Sequence, residues 1–180
     1  MHTHIETKAG KSIDVFDDLF SLNARDATYA QLRSSSFKLG WGDGTTEETI
    51  KYQYIHSRYD PHELFQMQFY QEFSKTDAFN LINGMKPTKI IVNLSTPSDV
   101  NFTHAHPEQK VVLYYANLDW GHGWHGETHF YDEGLKNIEF SSPYTPGRLI
   151  IFDGSIPHCI RPQSYIASNY RFTFALTYDY

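Results

Sequence analysis

The chain has a single cysteine, Cys159, so no internal disulfide can form. Such sparing use of thiols is expected of a protein from a reducing, cytoplasmic compartment. No apolar run approaches the roughly 20 residues that a membrane-spanning helix needs. The opening Met1-His2-Thr3-His4-Ile5-Glu6 lacks the basic stretch and apolar core of a secretory signal. Basic excess is missing too. The formal net charge is -6, which leaves no electrostatic case for a broad nucleic-acid-binding face. Repeats, low-complexity tracts and linkers are also lacking, so we expect one domain over residues 1–180.

Aromatic side chains are abundant instead. There are 13 Phe and 13 Tyr, and 40% of residues are hydrophobic, enough for a packed and β-rich interior. The first half reads as partly helical. One helical stretch is expected over Asp14–Phe20 and another around Ala27–Leu32, followed by a strand over Ser36–Trp41 that ends at Gly42-Asp43-Gly44. Asp60-Pro61-His62-Glu63 has the pattern of a capping box with proline in the first turn. Phe65, Phe69 and Phe73 follow as an i, i+4, i+8 stripe, and Asn83-Gly84 marks a helix end. From Lys89 the texture becomes β, with strand-like runs over 89–94, 111–117, 149–152 and 171–178. Pro-, Gly- and Asp-bearing turns separate them. The expected fold is mostly β with N-terminal helices: a helical buttress over roughly 1–87 packed on a sandwich or barrel over roughly 88–180.

Three histidines stand out against this frame. His104 and His106 are spaced i, i+2, which on an extended chain turns both side chains to one face. His158 follows the Asp153-Gly154 turn, where one strand ends and the next begins. His2 and His4 lie at a chain end that we expect to fray. Any one histidine is as readily a surface or capping residue as a ligand. Imidazole suits iron, zinc and copper alike, so the residues do not choose a metal. Arg171 opens the last strand with no acidic residue in that strand before Asp179. An arginine so placed can grip a carboxylate by two parallel hydrogen bonds.

Over residues 88–178 the chain resembles the 2-oxoglutarate/Fe(II)-dependent oxygenase superfamily, specifically its prolyl 4-hydroxylase-like branch. The residues that carry the resemblance are the histidine cluster, Leu113-Tyr114-Tyr115-Ala116-Asn117-Leu118-Asp119-Trp120 and His125-Gly126-Glu127-Thr128. Pro146-Gly147-Arg148 with the strand after it, His158 and Arg171-Phe172-Thr173 complete them. The resemblance implies a double-stranded β-helix (jelly-roll) core, Fe(II) as the metal and 2-oxoglutarate as co-substrate. It assigns His104 and His158 to the metal, and Arg171 to the far carboxylate of 2-oxoglutarate, with Thr173 and Tyr114 or Tyr115 as further co-substrate contacts. For each tyrosine, plain core packing is the alternative. The chain departs from the family at position 106, where the family's motif His-x-Asp has aspartate. Either His106 takes the aspartate's place, or the register slides so that His106-Pro107-Glu108 supplies a His-x-Glu pair and Glu108 is the third ligand. Proline after His106 suits a tight turn, which favours the first reading.

Two other functions fit the residues. One is a jelly-roll binding module whose aromatics hold a sugar or peptide. The other is a three-histidine metal dioxygenase that does not use 2-oxoglutarate, with Arg171 holding its substrate's carboxylate. The substrate is expected to be a small molecule or peptide, with neither nucleic acid nor membrane as partner. Trp41, Tyr52, Tyr54 and Tyr59 are candidates for a lid or substrate wall, or equally for aromatic core. The Gly121–His129 segment, rich in glycine and histidine, reads as an exposed loop, and Cys159 as a small core residue facing away from His158.

Overall fold

The computed structural model describes residues 1–42 and 44–180; Asp43, in the turn expected after Trp41, lies outside the described residues. Eleven strands appear among the described residues, in two sheets. The larger contains β1 (His2–Glu6), β2 (Ser12–Phe16), β3 (Lys38–Trp41), β4 (Tyr54–Arg58), β5 (Lys86–Ser95), β6 (Gln109–Tyr115), β9 (Leu149–Asp153) and β11 (Arg171–Asp179). Its order is β1-β2-β9-β6-β11-β5-β4-β3. The smaller sheet contains β7 (Thr128–Tyr131), β8 (Ile138–Ser142) and β10 (His158–Ile160), in the order β10-β7-β8. All the pairings are antiparallel. The chain therefore folds as a jelly roll with few helices.

Strict alternation along the central strands explains the layering. Val112, Tyr114, Leu149, Ile151, Phe174 and Leu176 face the helices and form one core with Leu64, Phe69 and Phe73. Val111, Leu113, Tyr115, Ile150 and Phe152 face the small sheet and form a second core with Phe130, Tyr144 and Ile156. A period of two thus buries both faces of the large sheet. Helix α1 (Leu22–Arg33) starts at Ser21, whose hydroxyl accepts from the Ala24 amide, and buries Ala24, Thr28 and Leu32 on one stripe. Helix α2 (Pro61–Gln66) has the expected capping box between Asp60 and Glu63.

Three expectations are corrected. Asp14–Phe20 is not helical. Ser12–Phe16 is strand β2, because Ile13 and Val15 are drawn into the inner core while the buried Asp14 carboxylate accepts from the rings of His2 and His4. Those two histidines are not frayed: they lie on strand β1, paired with β2, so the N-terminal half contributes four strands as well as helices. The phenylalanine stripe is also broken. Met67 leaves the helical region, α3 (Gln68–Phe73) restarts after it, and Phe65 is exposed while Phe69 and Phe73 are buried. A short 3-10 turn over Asp77–Leu81 leads to Gly84 in the left-handed region that lets the chain reverse. None of the described helices is long and apolar enough to cross a membrane.

Candidate metal centre

His104 and His158 meet through a two-way backbone bridge: the His104 amide donates to the His158 carbonyl at 3.0 Å, and the His158 amide returns a bond at 2.9 Å. Two residues on, the His106 amide donates to the Gly154 carbonyl at 2.6 Å. Glycine is needed there, because a Cβ on residue 154 would lie 2.5 Å from the His106 carbonyl oxygen. The turn at Asp153-Gly154 thus clamps the His104–His106 segment against the start of β10. Ligand atoms of the three imidazoles come within 4.8 Å of one another, which permits all three to hold one metal ion.

The hydrogen bonds set the tautomers. His104 Nδ1 donates to the Phe102 carbonyl at 3.0 Å, and His158 Nδ1 donates to the Ile156 carbonyl at 2.8 Å. With Nδ1–H committed to a carbonyl, the lone pair lies on Nε2, as an outer-shell partner of a ligating histidine provides. Burial pushes His158 well below the usual imidazole range, and the neighbouring His104 and His106 push it further. Burial likewise pushes His106 down to about 4, aided by His104 and Lys89. Both rings are therefore neutral near pH 7, the form that ligates metal.

Glu108 does not join this cluster. It is exposed, with φ of 62°, in the turn that leads into β6, and it faces Gln109, Asp179 and Tyr180. The left-handed backbone at Glu108 ends the extended run that aligns His104 with His106, so the carboxylate leaves their face. Nor does the Gly121–His129 segment form a second cluster among the described residues. It is a loop as far as Glu127 and then enters β7; His125 has φ of 60° and its carbonyl accepts from Trp120 Nε1.

Arg171 is fully buried, at 0% exposure. Its Nε donates to the Gly126 carbonyl at 3.0 Å, while both terminal nitrogens lack a hydrogen-bond partner. The guanidinium lies 4.7 Å from the Tyr144 ring centroid and 5.4 Å from that of Tyr115, two rings that are themselves stacked. Gly126 makes room for it: a Cβ there would lie 3.0 Å from Arg171 Cδ. Burial pushes the guanidinium down from its usual range. Buried cations normally have a full set of acceptors. A planar fork with two idle prongs is what a carboxylate would complete.

Thr173 lies on the same face as Arg171, buried, with its hydroxyl unpartnered. Tyr115 faces inward and its hydroxyl donates to Thr128 at 2.7 Å. Tyr114 does not reach the site. It faces the helices, packed against Phe20 and Phe69, and burial raises its pKa to about 12. A cavity beside the three histidines is lined by Leu113, Thr128, Phe152 and Ala175 among others, and by Trp41 and Tyr54. Tyr59 instead packs on Phe174 in the helix-side core, and Tyr52 on Phe102. Asn93, Asn101 and Lys89 also line the cavity, and sequence reasoning missed them. Period-two alternation from Arg171 across paired strands could have placed Asn93 and Lys89 on the inner face.

No family model matches the chain, and no curated protein sequence does. Solved structures do. A prolyl-4-hydroxylase from Pseudomonas putida aligns with a TM-score of 0.67 at 14% identity, over 95% of this chain and 94% of that one. A prolyl hydroxylase from Trichoplax adhaerens, solved with a peptide fragment of the hypoxia inducible factor oxygen degradation domain, aligns with a TM-score of 0.65 at 17% identity, over 93% and 83%. SnoN, a non-heme alpha ketoglutarate dependent epimerase from nogalamycin biosynthesis, aligns with a TM-score of 0.66 at 12% identity, over 93% and 78%. At such identity the likeness is one of architecture, and the chain has the jelly-roll fold of the prolyl 4-hydroxylases and other 2OG-Fe(II) oxygenases.

Proposed function

We propose that the protein is a 2-oxoglutarate- and Fe(II)-dependent dioxygenase that hydroxylates a small-molecule or peptide substrate in a reducing, cytoplasmic compartment. The observation that carries this reading is a three-imidazole cluster together with a buried arginine on β11 whose terminal nitrogens are unpartnered. Both halves fit the groups that the fold family implies. Three neutral nitrogen donors suit a divalent first-row metal, and the idle fork of Arg171 suits a carboxylate.

His104, His106 and His158 would hold the metal and Arg171 the C5 carboxylate of 2-oxoglutarate, with Thr173 adding a hydroxyl donor. Iron(II) with 2-oxoglutarate and O2 supplies oxidative decarboxylation: one oxygen atom enters succinate as CO2 leaves, and the other enters a C–H bond of the substrate. The chain's contribution is positioning and exclusion of water. Phe130 and Phe152 pack on the His158 ring and keep that side dry. Leu113 and Ala175 give the cavity beside the histidines an apolar wall. The stacked rings of Tyr115 and Tyr144 pack against the guanidinium and restrict its movement. A third imidazole in place of a carboxylate leaves the metal with one more unit of positive charge, which favours binding of a dianion.

The missing carboxylate also favours a second reading, a three-histidine dioxygenase in which Arg171 holds the substrate itself. One experiment tests both. Iron(II)-loaded protein should convert 2-oxoglutarate to succinate in air, slowly without substrate, and Arg171→Met should abolish this. Iron binding without any 2-oxoglutarate turnover or affinity would overturn the first reading in favour of the second.

A further inference from the structure

The cavity in front of the histidines runs against the charge of the whole chain. The net charge is -6, yet no aspartate or glutamate is among the described residues that line this cavity, and Lys89 is its one charged side chain other than histidine. Lys89 lies on β5, opposite Thr177 of β11. Its ammonium is 5.9 Å from the centroid of the Trp41 ring, and the Arg58 guanidinium covers the same ring at 5.5 Å. Lys38 stands across β3 and β4 from His56, whose ring packs on Trp41. Among the described residues, none of these three cations has a carboxylate within ion-pair distance. A low-dielectric cleft carrying charge of one sign focuses its field on what enters.

Two more atoms point to a ligand. Asn93 Oδ1 and Asn101 Nδ2, from side chains lining the same cavity, are buried without a hydrogen-bond partner. One is an acceptor and the other a donor, so together they match a group that carries both, such as an amide or a hydroxyl. Lys89 and Arg171 are distinct stations. They lie opposite residues 177 and 95, and six residues of β11 separate positions 171 and 177, roughly 20 Å of strand. Lys89 lines the same cavity as His104, His106 and His158.

We propose that this cavity selects a primary substrate bearing a carboxylate, with Lys89 gripping the anion, Trp41 covering the apolar body, and Asn93 and Asn101 holding a neighbouring amide or hydroxyl group. The inference rests on the oxygenase reading only in naming this molecule the primary substrate.

The test uses hippurate, which joins a carboxylate, an amide and an aromatic ring, against its uncharged counterpart hippuramide. Binding to the whole chain is read by ligand-observed saturation-transfer NMR, with and without metal. Hippurate should bind at least about tenfold more tightly than hippuramide, as one charge-assisted hydrogen bond provides. Lys89→Met should reduce hippurate to the level of hippuramide, and Lys89→Arg should restore the difference. The affinity for 2-oxoglutarate should be unaltered in Lys89→Met. Equal binding of acid and amide, binding of neither at the solubility limit, or a preference that survives Lys89→Met would overturn the proposal. Loss of 2-oxoglutarate affinity in Lys89→Met would also overturn it, by making Lys89 the co-substrate anchor. A chain that takes up no metal but keeps the acid preference would sink the oxygenase reading and leave this one standing.

Discussion

Replacing Arg171 with methionine should make the ligand-free protein more stable and blind to 2-oxoglutarate. Methionine keeps the length and apolar stem but removes the charge. The loss includes the Nε bond to the Gly126 carbonyl and the contacts with the rings of Tyr144 and Tyr115. Together these are worth about 2–3.5 kcal/mol. The gain is relief of a fully buried cation with two unpartnered nitrogens, about 3–5 kcal/mol when a buried charge lacks its partner. At the midpoints of these ranges the balance favours methionine by about 1 kcal/mol, which raises Tm by a few degrees in a chain of this size. Saturating 2-oxoglutarate, at about a hundred times Kd, should stabilise the metal-loaded wild type by about 2.7 kcal/mol and the variant not at all. Calorimetry with and without the co-substrate, under anaerobic conditions, reads both effects. A variant that melts below the wild type when ligand-free, or that keeps the 2-oxoglutarate shift, would refute the reasoning.

Other expectations follow from the same geometry. His158→Ala should abolish stoichiometric metal binding by elemental analysis, and it should also cost about 1–3 kcal/mol in chemical denaturation because a buried ring packed on Phe130 and Phe152 is removed. His106→Ala should lose metal while Glu108→Gln keeps it, and His106→Asp should retain iron; loss of iron in Glu108→Gln would reverse the ligand assignment. Asp60→Ala removes the capping box of α2 and should lower stability by about 0.5–2 kcal/mol with no change in metal content.

How much of this was legible in the sequence depended on the range of the interaction. Local chemistry was readable: the Asp60/Glu63 box formed as its spacing requires, and the i, i+2 spacing put His104 and His106 on one side. Alternation said that one of Tyr114 and Tyr115 must face inward but not which, because both faces of β6 are buried and apolar. Asp14–Phe20 read as helical because Val15, Phe16 and Leu19 are compatible with a helical stripe. The competing signal is non-local, since β2 pairs with β9, more than a hundred residues away. The edge strand β1 was missed for a related reason: of its residues only Ile5 is apolar, so it has almost no apolar signal. The break at Met67 likewise answers to packing and not to any local breaker residue. Arg171 could be singled out by the acid-free strand around it. Its idle terminal nitrogens, and the two cations that meet over Trp41 from β4 and β5, exist only once the sheet has assembled.

The central claim is that one set of side chains holds both iron and 2-oxoglutarate. Anaerobic titration of Fe(II)-loaded protein with 2-oxoglutarate tests it most directly. The account predicts a weak visible metal-to-ligand charge-transfer band that saturates at equimolar co-substrate and is absent over the same range of 2-oxoglutarate in His158→Ala and in Arg171→Met. Bound iron with no such band, or a band that persists unchanged in both variants, would contradict it.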